Sequence, residues 1–220
     1  MTTNILVEAK GLSKRYQSSA GPVGALAGVD IQIRTGELVA LVGPTGSGKT
    51  SLLALLAGLE QPDGGAVTLL GQPLDELNAD RVADLRSQVV GMIYQNYNLF
   101  PGFTVRENVG LPLRLMLRPP FDANARADQL LQELDIRELA NRYPNELSGG
   151  QQQLVAVARA LAANPPLVLA DEPTANLDSN ASHQIVNRLR ALADSGEHGV
   201  LLATHDLRTA SQADRVLNLR

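Results

Sequence analysis

Lys49 and Thr50 end the run GPTGSGKT at 43–50, which fits the pattern G-x-x-x-x-G-K-[ST]. A continuous apolar run, ELVALVG at 37–43, precedes it, and a helix-like run, KTSLLALLAGL at 49–59, follows and closes at Gly58. Strand, glycine-rich turn and helix in that order make a phosphate-binding loop rather than an ordinary turn. Gly43, Gly46 and Gly48 let backbone N–H groups approach phosphate oxygens with no Cβ in the way. The helix N-terminus adds partial positive charge. Lys49 is placed to reach β- and γ-phosphates, and the Thr50 hydroxyl to bind Mg²⁺. Lysine occurs only at positions 10, 14 and 49, so the match does not come from a lysine-rich background.

Two further stretches carry chemistry. LVLADEP at 167–173 sets Asp171 and Glu172 at the end of a second apolar run. An acid there can hold Mg²⁺ through water. Strand alternation sends the next acid elsewhere, where it can orient or deprotonate an attacking water. NELSGGQQQL at 145–154 has Ser148 three residues before Gln151, the spacing of a capping box. Capping alone accounts for that pair. A second anion-binding helix start is nevertheless redundant beside a complete phosphate loop, unless it meets the nucleotide from the other side. Two chains arranged head to tail allow this, each phosphate loop facing the partner's serine and glycines.

The elements that position these residues can be read from hydrophobic period. NILVEA at 4–9 and VDIQIRTG at 29–36 alternate, as half-buried strands do. The runs at 37–43, 167–171 and 200–204 are apolar throughout, as in strands buried on both faces. PDGGAVTLLG reads as a turn and a short strand. Residues 124–140 carry a helical pattern through Leu130, Leu131, Leu134 and Leu139. Residues 151–163 do the same through Leu154, Val157, Ala158 and Leu161, with Pro165 and Pro166 as the stop. Strands alternating with helices predict a parallel sheet covered on its faces, with a helical insertion over about 96–160.

Composition bounds the partners. The chain has 220 residues, 44% apolar and 19% charged, with a net charge of −4 and no cysteine. Disulfides and thiolate metal sites are excluded, and no basic tract suits nucleic acid. The start MTTNILVEAK is too short and acidic for a signal peptide, and no apolar run reaches the roughly 18 residues of a membrane helix. The expectation is a soluble cytosolic chain that needs a partner to act at a membrane.

With these motifs in place the chain resembles the ATP-binding subunits of ABC transporters over nearly its whole length. GPTGSGKT corresponds to Walker A, covering Gly43, Pro44, Thr45, Gly46, Ser47, Gly48, Lys49 and Thr50, with Ser51 next to it. Gln95 in YQN resembles the Q-loop glutamine. LSGGQ, Leu147, Ser148, Gly149, Gly150 and Gln151, matches the family signature. LVLADEP resembles Walker B, Asp178 in ANLD the D-loop, His205 in ATHD the switch histidine, and Tyr16 the aromatic that stacks on adenine. Outside that context Tyr16 reads as core and His205 as structural or solvated. His183 and His198 read as surface residues.

The resemblance implies an α/β fold: a P-loop NTPase (RecA-like) core with a parallel sheet, an N-terminal antiparallel β subdomain and an inserted α-helical subdomain. One domain spans 1–220, with the core at about 1–95 and 161–220 and the helical part at about 96–160. It implies ATP and Mg²⁺ as cofactors, with Lys49 and the loop amides on phosphate, and Thr50, Gln95 and Asp171 organising Mg²⁺. Glu172 would be general base and His205 a γ-phosphate contact. The signature residues would act in trans, and Asp178 would link two sites of a homodimer. An integral membrane permease is the implied partner, holding the chain on the cytoplasmic face of the inner membrane; no nucleic acid is expected. VVGMIYQNYNLFPGFTVRENVGLPL at 89–113 and DEPTANLDS at 171–179 look like the ATPases of lipoprotein-release, macrolide-export and cell-division complexes. A soluble ABC ATPase acting on DNA or ribosomes is the competing class, and a catalytically dead scaffold is disfavoured by the intact Lys49, Asp171, Glu172 and His205. Leu99, Phe100, Phe103, Leu111 and Leu113 are candidates for a groove that takes a partner helix, or for simple packing of the insertion. Position 154 is Leu where the subgroup usually has Arg. The chain ends at Arg220 after RVLNL, so no regulatory domain is expected beyond the last strand.

Overall fold

The computed structural model describes residues 4–18 and 21–219; Met1–Thr3 and Arg220, on which the readings of the two ends rest in part, fall outside them. Along the chain come β1 (Ile5–Ser18), β2 (Gly21–Arg34), β3 (Leu38–Val42), α1 (Lys49–Leu56), β4 (Gly64–Leu69) and β5 (Gln72–Pro73). Then follow α2 (Ala79–Val89), β6 (Val90–Ile93), α3 (Val105–Leu115), α4 (Ala123–Glu133) and α5 (Gly149–Ala160). The chain closes with β7 (Leu167–Asp171), α6 (Ser179–Asp194), β8 (Gly199–Thr204), α7 (Leu207–Ala210) and β9 (Arg215–Asn218).

Two sheets result. An antiparallel sheet has the order β2-β1-β4-β5, and a parallel sheet the order β6-β7-β8-β3-β9. The apolar runs explain the second sheet. Leu38, Val168, Ala170, Val200 and Leu202 face one core, while Val39, Leu41, Leu167, Leu169, Leu201 and Ala203 face the other. Alternation is therefore present but invisible in hydropathy, because both faces are covered. The first core is closed by α3, α4, α5 and α6, and the second by α1 and the antiparallel sheet.

Local signals set the helix starts. Thr104 and Glu107 form a capping box at α3, Asp122 caps α4, Ser148 and Gln151 form the capping box of α5, and Asp178 caps α6. Buried Asn108 ties the approach to α3. Its Oδ1 accepts from Phe100 N, and its Nδ2 donates to the carbonyls of Phe100, Phe103 and Thr104.

Several expectations are corrected. The helical pattern at 124–140 is not one helix, because α4 ends at Glu133 and Asp135 turns left-handed at φ 59°. The signature helix stops at Ala160, before either proline, with Asn164 left-handed at φ 53°. His198 is not a surface residue; it is 6% exposed and its Nδ1 lies 2.8 Å from Pro165 O, just before β8. Leu113 is 1% exposed in the helical-layer core and lines no groove. Leu154, in place of arginine, packs against that same core.

Candidate functional site

β3 lies between β8 and β9, and its C-terminal end feeds the loop before α1. The ends of β7 and β8 open on the same side, because the three strands run parallel. This is the crevice at the strand ends where α/β sheets take their ligands.

The loop is shaped by two left-handed glycines, Gly46 at φ 83° and Gly48 at φ 93°. A Cβ on Gly48 would stand 2.2 Å from Ala25 O, so β2 passes too close for any other residue. Gly48 provides no side-chain cap to α1, which leaves the first-turn amides for an anion. Lys49 is 7% exposed; its Nζ donates to Gly43 O at 2.7 Å and Pro44 O at 3.2 Å, and lies 3.5 Å from Glu172 Oε1.

Thr50 Oγ1 donates to Asp171 Oδ2 at 2.8 Å. The other oxygen, Asp171 Oδ1, is buried with no hydrogen-bond partner among the described residues. Burial raises the Asp171 carboxyl above its ordinary pKa, against the lowering pull of the Thr50 bond. A buried carboxylate oxygen without a partner, beside a hydroxyl, fits a hard divalent cation.

Glu172 departs from strand alternation. Its φ is +46°, its N–H donates to Ala203 O at 2.9 Å, and its carboxylate swings back into the crevice. Both acids therefore share one cavity instead of pointing apart. A left-handed, non-glycine residue is a strained backbone position of the kind that clusters at functional sites. Glu172 Oε2 lies 2.9 Å from His205 Nδ1, at the end of β8.

The cavity, about 390 Å³, is lined by Thr45, Gly46, Gly48, Lys49, Thr50 and Ser51 from the loop and α1. Gln95, Asp171, Glu172, His205 and Tyr16 complete it, with Gly24 and Ala25 of β2. Gly43, Pro44 and Ser47 shape the loop but do not line the cavity. Tyr16 is 36% exposed rather than core; its hydroxyl donates to Glu60 Oε2 at 2.7 Å, and Lys14 Nζ sits 5.6 Å from the ring centre. Gly24 and Ala25 were missed, since a glycine and an alanine in a strand carry no motif of their own.

The signature stands apart. None of residues 147–151 lines this cavity. Leu147 is 8% exposed and belongs to the helical-layer core. Ser148 heads α5, with its Oγ accepting from Gln151 N at 3.3 Å and its own N–H donating to Gln151 Oε1 at 3.0 Å. Gly149 lies against the D-loop, where an added Cβ would stand 3.7 Å from Asn176 O. Asp178 is exposed and accepts from Ala181 N at 2.9 Å.

A second cavity, about 360 Å³, opens between β6, the segment after Gln95, Pro112 of α3 and Arg159 of α5. Phe100, 50% exposed, lies on it and stacks on Phe103, with ring centres 5.6 Å apart. Leu99 and Leu111 are half-buried, Leu99 against the core.

Fold and crevice together place the molecule among the P-loop ATPases. Within that class it belongs to the ABC transporter family, whose sequence profile matches residues 26–175. It is 36% identical to MJ0796, described as a bacterial ABC transporter cassette and solved as a dimer, over 97% of this chain and 94% of that chain, with a TM-score of 0.90. A second structure of that cassette is a dimeric post-hydrolysis state bound to ADP and Pi, again 36% identical with a TM-score of 0.90, over 98% and 94%. CbiO1 from Clostridium perfringens, part of the cbiONQ ABC transporter complex, is 27% identical over 99% and 85%, with a TM-score of 0.84. The chain is an ATP-binding, ATP-hydrolysing cassette. No helix among the described residues is long and apolar enough to cross a membrane.

Proposed function

We propose that this cassette closes head to tail on a second copy around two ATP molecules, and that closure drives a membrane protein of the lipoprotein-release, macrolide-export or cell-division type. The observation that carries the dimer is the separation of Ser148 from the cavity of its own chain. A signature helix start set apart from the cavity of its own chain is free to serve a neighbour's nucleotide.

In this reading Lys49 and the loop amides hold the phosphates, and Tyr16 stacks on the base. Glu172 accepts the proton of the attacking water, held by His205 on one side and the turned strand end on the other. Ser148, Gly149 and Gly150 approach the partner's γ-phosphate through the α5 N-terminus, and Asp178 joins the two sites. Thr50, Gln95 and Asp171 would hold Mg²⁺, which when bound spreads the phosphate charge. The division into a core at about 1–95 and 161–220 and a helical part at about 96–160 gives the signature its own body to swing.

Asp171→Asn tests the metal assignment. The amide oxygen can still accept from Thr50, but the charge is gone. The Mg²⁺-dependent part of ATP affinity is expected to fall roughly 10–100-fold, with Mg²⁺-free ATP binding unchanged by calorimetry. An unchanged Mg²⁺ dependence would move the metal elsewhere.

The membrane partner is supported by the cavity under Phe100 and by the exposed Phe100–Phe103 pair, which suit the end of an amphipathic helix. Such a partner would hold the chain on the cytoplasmic face of the inner membrane. The test is co-purification of the Glu172→Gln chain from gently solubilised membranes with ATP. A membrane protein with few spans and a large outer domain is the expected companion. A many-span protein would move the cassette to conventional transport, and ribosomes or DNA without a membrane protein would overturn the transporter reading.

A further inference from the structure

Arg159 sits in the last turn of α5 and is 9% exposed, yet it faces no carboxylate among the described residues. Its fork is spent on one dipeptide: Nη1 donates to Asn98 O and Nη2 to Tyr97 O at 2.7 Å. Burial holds the guanidinium below its ordinary pKa, with the nearby Tyr94 acting in the opposite direction. A buried guanidinium is expensive to keep, and an apolar residue of similar volume would pack the same space.

The dipeptide it grips is itself unusual. Tyr97 and Asn98 are both left-handed, at φ 59° and 50°, and neither is glycine. Two such residues in succession persist only where the surroundings over-determine them. They follow the turn closed by Tyr97 N donating to Tyr94 O at 3.2 Å, and Gln95 lies inside that turn. The other end of the same segment reaches the signature. A Cβ on Gly149 would stand 2.9 Å from the Tyr97 hydroxyl. Segment 97–98 thus lies against both ends of α5: Arg159 holds it through its carbonyls, and the Tyr97 hydroxyl closes on Gly149, leaving no room there for a side chain.

We infer that Arg159 and Tyr97 are positioning residues of the ATPase: they clamp residues 97–98, two positions after Gln95, to the signature helix, so that the place of Gln95 in one site is tied to that of Ser148 facing the other. The inference rests on the trans reading of Ser148. It assigns Arg159 a task that a helix face alone would not require. It also gives the two left-handed residues a partner, since in that backbone both carbonyls meet one fork.

The test is a kinetic cycle. Lysine keeps the charge of Arg159 but cannot donate a planar fork to two carbonyls. Arg159→Lys is expected to lower kcat about tenfold while KM for ATP stays within about twofold, because Lys49 and Tyr16 are untouched. Gln95→Ala added to Arg159→Lys should then cost far less than Gln95→Ala alone, since residues that act as a unit are not additive. Equal losses in both backgrounds would overturn the clamp. Tyr97→Phe removes only the hydroxyl at Gly149; it is expected to lower kcat severalfold with the same non-additivity, and it decides the matter if the Arg159 variants fail to fold. ATP-driven dimerisation separates the two readings. Glu172→Gln alone remaining monomeric with ATP would remove the trans site itself. Glu172→Gln dimerising, with the Glu172→Gln/Arg159→Lys chain dimerising at the same ATP concentration and an additive cycle, would remove only the clamp.

Discussion

Glu172→Gln is expected to lose ATP hydrolysis by roughly 10²–10⁴-fold, the range of a positioned general base, while binding ATP at least as well as the parent and accumulating as an ATP-bound dimer. The geometry separates these effects. Glutamine is nearly isosteric and meets φ +46° no worse than glutamate does, so the backbone at the end of β7 and its bond to Ala203 O are kept. The side-chain oxygen can still accept from His205 Nδ1. What disappears is the negative charge 3.5 Å from Lys49 Nζ and the capacity to take a proton. Removing that charge frees Lys49 for phosphate, so nucleotide affinity should not fall. Phosphate release gives the rate, and sedimentation with ATP and Mg²⁺ gives the mass. A variant that hydrolyses at the parental rate would place the base elsewhere. A variant that binds ATP but remains a monomer would contradict the shared site.

The sequence made the chemistry legible where a residue acts by its own side chain at a fixed spacing. Lys49, Thr50, Asp171, Gln95, Tyr16 and His205 line one cavity, and Glu172 joins them there against the expectation that strand alternation would send it elsewhere. The strands at 37–43, 167–171 and 200–204 were legible because burial on both faces leaves an unbroken apolar run. β6 was not, since it is four residues long and contains Gly91, whose added Cβ would stand 2.4 Å from Ala160 O. Here the close approach of the signature helix, not local preference, decides the residue. α2 and α6 were passed over although Asn78 and Asp178 cap them, and Ile185, Leu189 and Ala193 mark the buried face of α6. In that case the signal was present, and the D-loop reading of Asp178 masked its role as a cap. Of the two readings left open for Leu113, groove or packing of the insertion, the structure gives packing: the side chain points inward and is 1% exposed. The turn of Glu172 into the cavity and the clamp at Arg159 depend on left-handed backbone at non-glycine positions, which no residue type announces.

Ser148→Arg should abolish hydrolysis, by a hundredfold or more on the scale of losing a preorganised phosphate-stabilising group, about 10²–10³, and leave ATP binding by its own chain intact. No residue from 147 to 151 lines the cavity formed by Lys49, so the mutation has no short-range route to the nucleotide held there. Part of its effect is local: Ser148 Oγ accepts from Gln151 N, and losing a cap costs about 1 kcal/mol. Ser148→Ala loses the cap without adding bulk or charge, and so isolates that part. Mixing then decides between cis and trans. Lys49→Ala spoils the phosphate loop and spares the signature; Ser148→Arg does the reverse. If Ser148 serves the neighbour's nucleotide, a heterodimer of the two inactive chains contains one intact composite site: the loop of the Ser148→Arg chain against the signature of the Lys49→Ala chain. Single-turnover hydrolysis should reappear on mixing. If Ser148 serves its own chain, every site in every pairing is broken, and the mixture stays as inactive as its parts.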